Sequence, residues 1–105
     1  MSESEKIKKA FVKLRDFGCI VMNFNNKKSN NPGITGHLDW EIYSKKNVIH
    51  VESKIDKDKL RPKQAEVIKR LAHLMGLPGS RVYVCSIKTG KEAENLADRI
   101  LKGEL

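Results

Sequence analysis

Apolar residues recur along this chain first at helical spacing, then at alternate positions, then at helical spacing again. Ile7, Ala10, Phe11 and Leu14 form one stripe, which predicts an amphipathic helix over Ser4 to Phe17 with Gly18 as its stop. Cys19 to Phe24 is a short apolar run suited to a first strand, and the Asn-rich stretch from Asn25 to Gly36 carries turn signals throughout. From His37 to Ser44 the pattern alternates, with Leu38, Trp40 and Ile42 on one side and Asp39, Glu41 and Tyr43 on the other. Lys45, Lys46 and Asn47 form a polar turn. A second alternating run, Asn47 to Ile55, puts Ile49, Val51, Ser53 and Ile55 on one side and Val48, His50, Glu52 and Lys54 on the other. So short a connection predicts an antiparallel hairpin.

Beyond the charged, turn-like stretch from Asp56 to Pro62, residues Leu60, Val67, Ile68, Leu71, Leu74 and Met75 make a second helical stripe, ended by Gly76 and Pro78. Gln64 falls inside that stripe. A polar side chain at a core position needs a partner, so Gln64 either faces the acids at the sheet end or caps the edge of the core. Arg81 to Ile87 reads as a strand buried on both faces, reached by a crossover that implies a parallel neighbour. Thr89 with Glu92 is a capping box, and Ala93, Leu96, Ala97, Ile100 and Leu101 stripe a closing helix. The order is helix, three strands, helix, strand, helix: an α/β fold with a mixed sheet flanked by helices. No repeat or linker interrupts it, so residues 1–105 read as one domain.

Composition narrows the function classes. No apolar run approaches the roughly 20 residues of a membrane span, and the first residues lack the apolar core of a secretory signal. The expectation is an intracellular, cytoplasmic protein with no membrane partner, whose Cys19 and Cys85 are buried free thiols. The formal net charge is +8 and the pI about 9.6. That excess favours a polyanionic partner, nucleic acid ahead of an anionic membrane surface.

The candidate chemistry sits on the hairpin. Glu52 and Lys54, two apart in a strand, project together, and Asp39 lies on the neighbouring strand. Two carboxylates suit Mg²⁺, which binds through one or two acids and keeps waters for a substrate phosphate. The carbonyl of Ser53 is a further candidate ligand. A lysine on the same side can orient a water or stabilise developing negative charge. Glu41 shares the face of Asp39 and reads as solvated or salt-bridged, the other reading being a competing metal ligand; His50 reads as structural, the other reading being a spare residue at the rim of the site. Extending the first helix backward puts Glu3, rather than Glu5, near the apolar side. Phase alone reads Glu3 as a frayed, solvated end, the other reading being an acid aimed at something positive. Lys27 and Lys28 read as solvated loop residues.

The order Gly36-x-x-Asp39, Glu52-x-Lys54, then Leu60 and Gln64 resembles the PD-(D/E)xK nuclease superfamily, and within it the VRR-NUC branch found alone in phage and fused in repair enzymes. The resemblance runs from the first helix to Ile87. It implies a restriction-endonuclease-like αβββαβ core with a C-terminal helix here. It makes Asp39 and Glu52 metal ligands, Lys54 the catalytic lysine and Gln64 the helix residue supporting the site. It also places an acid from the first helix at the metal, Glu3 here with Glu5 as the fallback. Its implied cofactor is Mg²⁺, with Mn²⁺ able to substitute. The implied activity is DNA endonuclease cleavage, selective for branched DNA such as Holliday junctions, by a homodimer. Lys57, Lys59, Arg61 and Lys63 would then meet backbone phosphates. One departure is that Leu38 stands where the family usually has Pro, a residue the chemistry does not require. The alternative is a nucleic-acid-binding module of nuclease descent without catalysis, against which the intact Asp39, Glu52 and Lys54 argue.

Overall fold

The computed structural model describes residues 1–24, 38–53 and 62–105. Lys54, Lys57, Lys59, Arg61, Leu60, Gly36 and the lysines of the Asn-rich loop lie outside the described residues.

Helix α1 spans Glu3–Val12, and Ser2 caps it by accepting a hydrogen bond from the Glu5 amide. The predicted single helix is divided: Lys13–Phe17 tightens into a 3₁₀ turn. Tightening of this kind is common at a helix C-terminus. Gly18 then takes φ 91°, a left-handed conformation open to glycine. Strands β1 (Ile20–Asn23), β2 (Trp40–Tyr43) and β3 (Val48–Ser53) follow, then α2 (Pro62–Met75), β4 (Val82–Ile87) and α3 (Gly90–Leu101). The strands form one sheet in the order β1-β2-β3-β4. The first three pair antiparallel, and β4 pairs parallel to β3, as its crossover through α2 requires. The mixed α/β sheet flanked by helices, with its C-terminal helix, is the architecture expected from the hydrophobic pattern.

Register divides the strands into two faces. Trp40 opposite Val51 and Ile42 opposite Ile49 place these four side chains on one face. That face packs on Ile7, Phe11 and Leu14 of the first helical segment and on Ala93, Leu96, Ala97 and Ile100 of α3. Phe11 meets Trp40 edge-on, with ring centroids 5.2 Å apart. α1 and α3 approach so closely that a Cβ on Gly90 would lie 2.4 Å from the Lys6 Cβ.

α2 stands outside this core, against β4. Here two expectations are corrected. β4 is only half-buried along most of its length rather than covered on both faces. At the end of the α2 stripe, Leu74 is 44% exposed. The apolar pattern is present in both segments, but β4 is an edge strand, with α2 packed beside it. No helix among the described residues is long and apolar enough to cross a membrane.

Candidate active site

Asp39 and Glu52 meet where β2 and β3 end. The ladder closes at Trp40 and Val51, and one step further the backbone is held by side chains. The Asp39 amide donates to Glu52 Oε1 at 3.2 Å. In return, Asp39 Oδ2 accepts from the Ser53 amide at 3.0 Å and from Ser53 Oγ at 2.6 Å. Each acid therefore ties down the other's strand. Glu52 is 5% exposed, while Asp39 is half-buried. Among the described residues the Asp39 carboxylate makes its hydrogen bonds through Oδ2, and Oδ1 meets no donor there.

Ser53 was not picked out as a side chain by sequence reasoning, which considered only its carbonyl. A small hydroxyl one residue beyond the acid of the second strand was the available signal.

On the same face, one residue pair further into the sheet, Glu41 lies opposite His50. Glu41 is 8% exposed. Its carboxylate accepts a very short hydrogen bond from the Tyr43 hydroxyl and lies 3.8 Å from His50 Nδ1. The bond to Glu41 raises the pKa of the Tyr43 phenol, with burial adding to it. Glu41 is thus held by its neighbours, bonded to the Tyr43 hydroxyl and beside His50, rather than solvated.

Gln64 is buried in the first turn of α2, as its place in the stripe required, with 6% of its surface exposed. Among the described residues, no wholly buried side-chain nitrogen or oxygen lacks a partner. Lys63, beside it, is exposed.

Glu3 is not brought together with the other two acids. Its carboxylate accepts from the Gly90 amide at the start of α3 and pairs with Lys6 at 3.4 Å. The Gly90 N–H is the main cause of the lowered pKa of Glu3, and Lys6 adds to it. The first-helix acid does point at something positive, and that is the N-terminal end of a helix. Its assignment as a third ligand is accordingly not supported by its position. Glu5 is exposed and bonded to Ser2.

Among the described residues no three or more His, Cys, Asp or Glu side chains converge as a metal-holding group. A two-carboxylate set with one oxygen that no described residue engages fits a hard cation that keeps its own waters, and does not fit a fully protein-ligated zinc. The two cysteines are free and partly buried. Burial raises both thiols, Cys85 to about 11, and leaves them poor thiolates.

A solved structure described as "VRR_NUC domain" superposes on this chain with a TM-score of 0.59 at 18% identity, covering 91% of this chain and 94% of that one. The chain has the VRR_NUC fold. At that identity the likeness speaks for the fold, and the site must be argued from the residues themselves. No family model matches the sequence, and no curated protein matches it either. In this chain Asp39, just before β2, and Glu52, in β3, lie at one end of the antiparallel β2–β3 pair.

Proposed function

We propose that this protein is a Mg²⁺-dependent DNA endonuclease that hydrolyses phosphodiester bonds, acting inside the cell as a homodimer on branched DNA such as a Holliday junction. The observation that carries the reading is the Asp39–Glu52 pair: two carboxylates locked together by the Asp39 amide and Ser53, in a fold shared with a VRR_NUC domain.

Asp39 and Glu52 are the residues that would hold the cation, Asp39 through Oδ1, which no described residue engages. When bound, Mg²⁺ supplies charge neutralisation at the phosphoryl oxygens and acidifies a water; Mn²⁺ would serve in its place. Ser53 fixes the Asp39 carboxylate from below, so that rotation of the acid does not accompany catalysis. Lys54, two residues after Glu52 in sequence, has the role of orienting the attacking water and stabilising negative charge on the phosphate. Gln64 supports the site from the first turn of α2. Lys57, Lys59, Arg61 and Lys63 grip phosphates without reading sequence. A two-fold pair of such sites matches the two strands to be cut at a four-way junction.

The deciding experiment measures cleavage of junction, flap, single-stranded and linear duplex DNA in Mg²⁺, beside Glu52→Ala and Lys54→Ala. The expected result is junction cleavage that falls at least about 100-fold in either variant, the scale of losing one electrostatic contributor. Cleavage by Glu52→Ala at the wild-type rate would show that the pair is not the catalytic centre. Preference for linear duplex over the junction would remove the branched-DNA part of the reading. Binding without cleavage by the wild-type chain would favour a non-catalytic nucleic-acid module.

A further inference from the structure

The opposite end of the sheet carries a second feature with its own chemistry. Here the β2–β3 turn, the start of β4, the 3₁₀ turn after α1 and the end of α3 surround an open cleft of about 560 Å³. Lys45 and Lys46 come from the turn, Arg81 from the entry to β4 and Lys102 from the end of α3. No acidic side chain lines the cleft, and none of the four cations forms a salt bridge with a described carboxylate. The cleft is also apolar in part. Phe17 lines it with 61% of its surface exposed, and Leu101 with 39%. An exposed aromatic ring among cations that no described carboxylate neutralises is a poor arrangement for an isolated surface, since like charges repel and the ring meets water.

A ligand that relieves both must offer several anionic groups and a flat apolar face. A nucleic-acid strand with unstacked bases offers both: phosphates for Lys and Arg, and a base face for an aromatic ring. An intact duplex hides its base faces and can satisfy only the cations. From Val48 to Ser53 the strand β3 spans roughly 17 Å, so this cleft is separate from the Asp39–Glu52 pair.

We infer that the cleft is a second nucleic-acid contact, taking a short run of unpaired nucleotides with a base against Phe17 and phosphates on Lys45, Lys46, Arg81 and Lys102. It extends the nucleic-acid reading of the carboxylate pair, and it is tested without cleavage. Fluorescence anisotropy of the full chain in EDTA is measured with labelled oligothymidylate of about ten nucleotides and with a blunt duplex of the same length. Phe17→Ala should weaken the single strand about tenfold and leave the duplex unchanged. Lys45→Glu with Lys46→Glu should weaken both by more than about tenfold and flatten the salt dependence. The same charge change at Lys8 and Lys9, exposed on α1, should do far less.

An unchanged single-strand affinity in Phe17→Ala overturns the proposal. So does an α1 double variant as weak as the turn variant, because net charge alone would then explain binding. A chain that binds as described yet cleaves no DNA overturns the nuclease reading and leaves the cleft standing.

Discussion

On the sheet face that meets α1 and α3, Phe11, Leu14, Ile42, Ile49 and Val51 are sealed from solvent. On the opposite face the same strands carry Asp39, Glu41, Tyr43, His50 and Glu52, held by hydrogen bonds rather than by apolar contact. The first face is closed by two helices packed tightly enough to need a glycine at position 90. The second offers acids that are desolvated but positioned, the condition under which a carboxylate pair can attract a cation. Burial in one layer fixes the strands, and that rigidity holds the acids of the other layer in position.

The contrast can be broken in graded steps. The largest effect is expected from Phe11→Ala, which should cost about 3–5 kcal/mol in chemical denaturation by emptying the centre of the covered face. A loss below about 1 kcal/mol would mean that α1 is not the main lid of the core. Gly90→Ala comes next. Although alanine is the better helix former, its Cβ would lie 2.4 Å from the Lys6 Cβ, too close for either helix to stay in place. Overpacking of this kind costs about 1–3 kcal/mol, visible as a lowered Tm; a raised Tm would show that the helices yield freely.

Tyr43→Phe probes the polar face. It removes a donor from the buried Glu41 carboxylate and should cost about 1–3 kcal/mol at neutral pH. Equal stability of wild type and variant would show that Glu41 finds other donors. The smallest effect belongs to Glu3→Gln. Because Gly90 and Lys6 hold the folded-state pKa of Glu3 below its ordinary value of 4.5, the charged form adds stability above that pH. The contribution is lost as pH falls through the lower, folded value. The wild-type Tm should therefore drop more steeply than the variant's below about pH 4.5, the two curves running parallel above it; parallel curves throughout would remove the helix-capping role of Glu3.

Much of this arrangement was legible in residue patterns. Alternation along β2 and β3 separated Asp39 and Glu52 from Trp40, Ile42, Ile49 and Val51 because a strand has a two-residue period that turns composition directly into faces. Gly18 and the Thr89–Glu92 cap were equally local: Thr89 accepts from the Glu92 amide at 3.1 Å. The misreadings came from relations that have no period. Apolarity in β4 and α2 says that a residue can be buried, without saying whether another element covers it. Glu3 caps a helix that begins 87 residues later, and nothing near it in sequence announces the partner. Ser53 matters because the chain brings Asp39 beside it, a fact of register rather than of motif.

The bond from the Asp39 amide to Glu52 Oε1 also gives the molecule a built-in spectroscopic reporter. A cation that drew the Glu52 oxygen away would strip this one N–H of its acceptor while the covered face stayed as it is. In an amide-correlated NMR spectrum, titration with Mg²⁺ should move the Asp39 resonance further than those of Ile42 and Ile49. The carboxylate that is expected to serve chemistry thus doubles as the clasp of a hairpin, and its occupancy can be followed on a backbone proton with no substrate present.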